Sequence, residues 1–279
     1  MRRSRPLLGT FVEVEASGLA EPALERSVTR AFDAIERVHR LMSFHDPESD
    51  ISRLNRHAAF SPVTVDPWTA KVLHKARVLF EATDGLFDCA VGYEAMQRGL
   101  LPSQDLHHVG RGTFSAVEFL ADNRVRFSAQ IALDLGGIAK GFAVDRAIAV
   151  LRAQGVGEAL VNAGGDMRVM GGTAQPVYIR CPGANGHVVQ AGLLHNAAIA
   201  TSSATATQRK GNVQRLGPPA SATSSAEESA YSVVAPTCLL ADALTKVLVQ
   251  VGNSGTSYFA QFGATAFVTS GDVIEGRAA

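Results

Sequence analysis

The sequence predicts an α+β protein rather than a doubly wound parallel sheet. Short runs that alternate apolar and polar residues are mixed with helical stripes, and the two do not follow one another as regular βαβ units. Glycine turns join strand to strand, as in "EALVNAGGDMRVMGG" from Glu158 to Gly172. Hydrophobic residues make up 46% of the 279 positions and charged residues 19%, which supports a well-filled core. We read residues 1–279 as one domain, with 201–230 as a long loop rich in Ser, Thr and Ala.

The elements follow in order. "LLGTFVEVEA" reads as a strand, with Val12 and Val14 on one face and Glu13 and Glu15 on the other. A helix follows, with a stripe of Leu24, Val28, Ala31, Phe32, Ile35, Val38 and Leu41 opposite a charged face, and Pro22 stands near its first turn. A second amphipathic helix runs from Pro67 to Ala82 and stops at "TDG". Residues 94–112 read as a loop, with short strands near Val117 and Val125. "LDLGGIAKGFAVDRA", Leu133 to Ala147, supplies a strand end, a glycine turn and a helix that Gly155 closes. Strands are expected in "QPVYIRCPG" and "VVQAGLLHNAAIATSS", a last helix in "APTCLLADALTKVLVQVG" and a last strand in "AFVTS".

Bulk properties exclude several functions. Lys+Arg and Asp+Glu each total 26, so neither a nucleic-acid stripe nor a polybasic membrane patch is expected. Cys89, Cys181 and Cys238 are far apart and form no CxxC or Cys/His spacing, which argues against disulfides and structural zinc. No run reaches the length of a membrane span. "MRRSRPLLGT" is basic but lacks the apolar core of a signal peptide, so a cytoplasmic setting is the expectation, or a periplasmic one if the N-terminus is incomplete. His39, His74, His107 and His108 lack metal-site spacing, and Trp68 reads as core.

The chemistry gathers at two glycine turns and one helix. Unpaired N–H groups at Gly136 and Gly137, entering a helix, can hold an anion that Lys140 would neutralise. By itself that lysine reads as well as a helix-surface residue, and Asp145 as a structural or solvated acid. "NAGGD", Asn162 to Asp166, is a second such turn or a plain hairpin. In "ADALTK", Asp242 and Lys246 form either an i,i+4 pair or part of a Mg²⁺ site.

Taken together, these segments resemble the bacterial FAD:protein FMN transferases, the ApbE-like flavinyltransferases. "LLGTFVEV" resembles the family's opening M-G-T strand, and "MSFHDPESDISRLNR" its M-S-x-Y-x-x-x-S-E-I-S-R-L-N segment. "TDGLFDCAVG" is similar to T-x-G-x-F-D-x-x-V-G, and "LDLGGIAKGFAVD" to D-L-G-G-I-A-K-G-Y-A-V-D. "VNAGGDMRVMGG", "AIATSS" and "APTCLLADALTKVL" resemble the N-x-G-G-D, A-x-A-T-S-G and A-P-x-x-x-A-D-A-L-x-T-A-L segments. The resemblance implies a two-lobed fold of mixed and antiparallel sheets flanked by helices, with an FAD cleft between the lobes. It implies Mg²⁺-dependent transfer of FMN from FAD to a Ser or Thr of a partner protein, with release of AMP. Leu8, His45, Phe87, Asp88, Asp134 and Lys140 would bind FAD. Lys140 and Asp242 would be catalytic, and Gly137, Asp242 and Thr245 would hold the metal. Whether the chain is a monomer or a homodimer stays open.

Three departures stand out. The family's H-x-I-D-P-x-T-G segment should fall between "ATSS" and "VVAP", yet that interval contains neither histidine nor aspartate. Lys246 stands where the family's metal-holding threonine lies, and Thr245 is one residue earlier. His45 replaces the flavin-stacking tyrosine. Three functions therefore share these residues: flavinyl transfer, FAD binding without cleavage with Lys246 as the cation, and hydrolysis of FAD to FMN and AMP.

Overall fold

The computed structural model describes residues 1–103, 106, 109–180, 188–204, 229–252, 256–270 and 273–276. Its strands are β1 (Arg2–Leu7), β2 (Thr10–Ser17), β3 (Val63–Thr64), β4 (Val117–Phe119), β5 (Arg124–Phe127), β6 (Glu158–Ala163) and β7 (Asp166–Met170). They continue as β8 (Gln175–Arg180), β9 (Val188–Leu194), β10 (Ala198–Ala204), β11 (Ser229–Ala235), β12 (Thr265–Ser270) and β13 (Val273–Glu275). The helices are α1 (Glu21–Met42), α2 (Asp50–His57), α3 (Pro67–Ala82), α4 (Gly92–Gln97), α5 (Ala139–Ala153), α6 (Cys238–Val251) and α7 (Thr256–Ala260). None is long and apolar enough to cross a membrane.

The chain divides into two compact units. One holds Met1–Arg37 and every described residue from Lys140 onward; the other holds Val38–Ala139. The first is built on an eight-stranded sheet ordered β1-β2-β6-β7-β10-β11-β12-β13, antiparallel throughout. Strand alternation gives the sheet two apolar faces. Ile199 of β10, Val169, Ala230 and Phe267 form one core with Val177, Ile179 and Leu194 of the antiparallel β8–β9 pair. The other face of β10 carries Ala198, Ala200 and Ser202, and α6 packs on β10, β11 and β7. A helix apolar on nearly all sides must be covered, and nine of the fourteen residues of α6 are buried. Thr237 caps its start by accepting from the Leu240 N–H.

The second unit is smaller, and its sheet has three strands in the order β3-β5-β4. Asp66 caps α3 by accepting from the Trp68 N–H, with Pro67 in the first turn. Buried Asp50 on α2 accepts from the Asp66 N–H at 2.8 Å and the Thr69 hydroxyl at 2.7 Å, which ties α2 to α3.

The α+β class, the stripe of α1, helices α3, α5 and α6 and the glycine-turn hairpin follow the sequence expectation. Several elements differ. The strand expected into Leu133 does not form: 131–135 is irregular, with Ile131, Ala132, Leu133 and Leu135 buried. The reason lies in Asn55, whose side-chain amide donates to the Leu133 carbonyl and accepts its N–H, doing the work of a neighbouring strand. The "LLGT" run is a hairpin between β1 and β2, with Leu8 and Gly9 both at positive φ in the turn. Part of the expected 94–112 loop is α4, and the two ends of the expected 201–230 loop belong to β10 and β11. The middle of that loop, Cys181, His107 and His108 lie outside the described residues. Trp68 is half-buried rather than core.

One position limits how the first unit packs. A Cβ placed on Gly141 of α5 would meet the Cys238 carbonyl oxygen at 2.2 Å and its carbon at 2.6 Å. The opposing atoms are backbone, so they cannot swing aside. Gly141→Ala is expected to destabilise the protein by about 1–3 kcal/mol or more through overpacking. A urea melt with an unchanged midpoint would contradict this.

Candidate functional site

The close approach at Gly141 lets two helices satisfy each other's first turns. The first N–H groups of a helix have no partner within it. On α6 the Cys238 and Leu239 N–H groups donate to the two oxygens of Asp145, each at 2.9 Å. On α5 the Gly141 N–H donates to Asp242 Oδ2 at 3.1 Å. Asp145 is therefore a structural acid, and it also pairs with Arg168.

This exchange sets the charged cluster. Lys140 precedes Gly141 and its ammonium pairs with Asp166, 4.0 Å from Asp242 Oδ1. Asp166 opens β7 after the Gly164–Gly165 turn, where both glycines have positive φ. Lys246, one turn beyond Asp242, donates to three oxygens: Ser202 Oγ at 2.8 Å, Thr245 Oγ1 at 3.0 Å and Asp242 Oδ1 at 3.3 Å. The Thr245 hydroxyl donates to the Asp242 carbonyl at 2.7 Å and sits 2.9 Å from Ser202 Oγ. Asp242 and Thr245 are fully buried and Asp166 nearly so, whereas the lysines keep partial exposure. Two carboxylates face two ammoniums.

The carboxylates respond in opposite directions. Burial and the Asp242 charge push Asp166 up to about 6 against the pull of Lys140 and Lys246. Burial also opposes charge on Asp242, but Lys140, Lys246 and the Gly141 N–H outweigh it and hold its pKa below the usual value. Burial opposes the charge on Lys140, and the two carboxylates more than offset it. Cys238 is fully buried, which pushes its thiol well above the ordinary value, so it is no nucleophile.

The second unit holds the other predicted residues. Phe87 and Asp88 are buried, and Asp88 Oδ1 accepts from the Ala90 N–H at 2.7 Å and the Phe114 N–H at 3.1 Å. Asp134 is half-buried and accepts from the Gly136 N–H at 3.0 Å. Burial raises its pKa against that N–H and the charge of His45, which is exposed just after α1. Gly137 lies in the same turn as Gly136, and Leu8 sits in the β1–β2 turn of the first unit.

Residues 8–268 match the model of the ApbE family. The chain belongs to this family. An FAD:protein FMN transferase of Rhodobacter capsulatus is 32% identical over 183 residues, covering 59% of this chain and 34% of that protein. One from Vibrio cholerae is 29% identical over 182 residues, covering 60% of this chain and 54% of that protein. The match thus spans about a third to a half of these relatives' lengths. The solved flavin transferase ApbE of Vibrio cholerae has a TM-score of 0.77 at 23% identity, covering 100% of this chain and 96% of that one. The flavinyl transferase ApbE of Pseudomonas stutzeri in its apo form gives 0.78 at 22%, covering 99% and 94%. At these identities the likeness is one of fold.

Within this ApbE fold the structure brings Lys140, Asp242 and Thr245 together. It adds Asp166, Lys246 and Ser202, which the expected site set leaves out. The signal for Asp166 is the "NAGGD" turn, but its pairing with a lysine 26 residues earlier depends on the fold. The metal set does not assemble as expected. Mg²⁺ takes oxygens at about 2.0–2.1 Å in an octahedron. Here the oxygens of Asp242, Thr245 and Ser202 turn to the Lys246 ammonium, and the remaining oxygen of Asp242 serves Gly141. Among the described residues no group of three or more His, Cys, Asp or Glu could hold a metal. The residues as arranged do not fit Mg²⁺.

The raised pKa of Asp166 has a definite sign. The folded state holds this proton more tightly than the unfolded chain, so the group's stabilising contribution is full below its unfolded pKa and is lost as pH rises through about 6. Asp166→Asn mimics the protonated form. Its melting temperature is expected to exceed that of the parent protein at pH 7.5, with the difference shrinking toward pH 5. A constant difference in thermal melts across that range would refute this assignment.

Proposed function

We propose that the chain binds FAD and transfers FMN to a Ser or Thr hydroxyl of a partner protein, releasing AMP. The observation that carries this reading is the Lys140 ammonium, held in the first turn of α5 by two buried carboxylates just after a glycine turn. The ApbE membership and the names of the relatives support FAD as the substrate and a protein as the acceptor.

In this reading the acceptor oxygen bonds to the phosphorus of the FMN half. The bond from that phosphorus to the bridging oxygen breaks, and the bridging oxygen leaves with AMP. Charge grows on the bridging oxygen, and Lys140 offsets it. The hydroxyl proton passes to the departing phosphate or to water, since the interval that should hold the family's histidine has none. Asp166 and Asp242 orient the ammonium and keep it charged. Asp134 and the turn at Gly136 and Gly137 help hold FAD, with Leu8, His45, Phe87 and Asp88 shaping its surroundings. No step runs through Mg²⁺, because the residues do not fit it.

A second reading, FAD held without cleavage, is favoured by the ammonium of Lys246 on Asp242. The two are separated by incubating the protein with FAD, with and without a threonine-bearing acceptor peptide, and resolving AMP, FMN and peptide by chromatography. Transfer predicts AMP together with a flavin-bearing peptide, and a drop of about 100-fold or more in Lys140→Met. AMP with free FMN identifies a hydrolase. FAD bound but intact leaves the binding reading, and AMP release unaffected by Lys140→Met removes the role given to that lysine.

A further inference from the structure

The Lys246 ammonium has three N–H donors and no acceptor. Three oxygens converge on it: two hydroxyls at 2.8 and 3.0 Å and one carboxylate at 3.3 Å. These come from two elements, Ser202 on β10 and Asp242 with Thr245 on α6. An exposed i,i+4 pair would leave the lysine head largely in water. Here Asp242 and Thr245 are fully buried and the lysine side chain is 20% exposed. The protein has built an oxygen cage and supplied its own cation.

We infer that Lys246 is the resident cation of this site: its ammonium takes the place of a divalent metal on Asp242, so that the site needs no metal to bind a diphosphate. Charge supports this. The cluster of Asp166, Asp242, Lys140 and Lys246 is neutral, so a dication entering it meets two ammoniums and no surplus negative charge. Geometry supports it as well, since metal coordination would require Asp242, Thr245 and Ser202 to release the ammonium. The diphosphate half of the inference rests on the FAD reading above; the exclusion of metal does not.

Two measurements on the intact protein separate these halves. Electron paramagnetic resonance titration with Mn²⁺ reads metal binding without FAD. The parent protein is expected to leave millimolar Mn²⁺ free. Lys246→Thr, with folding checked by circular dichroism, is expected to bind it at a site lost in the Lys246→Thr, Asp242→Asn double variant. Fluorescence titration then reads FAD. Affinity in the parent is expected to be equal in EDTA and in Mg²⁺. In Lys246→Thr it should become Mg²⁺-dependent by about tenfold or more, and in Lys246→Met it should fall by a similar factor without rescue by Mg²⁺.

The inference is overturned if the parent binds Mn²⁺ in a manner that Asp242→Asn abolishes, or if folded Lys246→Thr gains no Mn²⁺. It is also overturned if EDTA weakens FAD binding to the parent about tenfold and Mg²⁺ restores it. A parent that excludes Mn²⁺ yet binds no FAD under any condition sinks the FAD reading while upholding Lys246 as the cation.

Discussion

The site depends on a reciprocal exchange between two helix beginnings. Asp145 of α5 accepts the first N–H groups of α6, and Asp242 of α6 accepts the N–H of Gly141 on α5. Each helix end presents unpaired donors and a partial positive charge, so a carboxylate from the other helix serves both needs at once. The exchange works only at backbone-to-backbone distance, which the missing side chain at Gly141 allows. From that contact the rest follows. Lys140 stands one residue before the contact and Lys246 one turn after Asp242, so both ammoniums reach the same carboxylate.

Concentrating four charges in a buried corner is not a route to stability. Buried ion pairs often recover no more than their desolvation cost. The arrangement is better understood as holding two ammoniums in fixed positions. Asp242 carries the structural load, since its oxygens serve Gly141 and Lys246 and its carbonyl serves Thr245. Asp166 carries the electrostatic strain, because it is buried beside a like charge with Lys140 as its near partner. The two acids differ in environment rather than in chemistry, and that difference drives one pKa down and the other up.

Much of this could be read from the residues alone, and the rest could not for specific reasons. Period and turn chemistry exposed α1, α3, α5, α6 and the β6–β7 hairpin, since those signals are local. The strand expected before α5 failed because apolar composition alone does not supply a ladder partner, and Asn55, 78 residues away, took that role. Helix α2 was hidden because its start depends on Ser49 capping a short, polar segment. At the site, Lys140 and Asp242 were legible because each lies in a recognisable segment. Asp166 is not legible in the same way, since its pairing with Lys140 spans 26 residues. The resemblance places Thr245 on the metal, but the helix turns its hydroxyl to the Asp242 carbonyl, and its oxygen accepts from the Lys246 ammonium.

Replacing a metal by a lysine changes what such a site can do. An ammonium is tethered, so it is present at every turnover and costs no separate binding step. It also carries one charge where Mg²⁺ carries two. Its oxygens stand at 2.8–3.3 Å, against about 2.0–2.1 Å for the metal. Because Coulomb energy scales as charge over distance, a tethered ammonium stabilises both a resting diphosphate and the charge that builds up during bond breaking less than Mg²⁺ would. In the proposed transfer, Lys140 then has to supply most of the differential stabilisation. That role falls to an ammonium held by Asp166 and Asp242 rather than left in solvent.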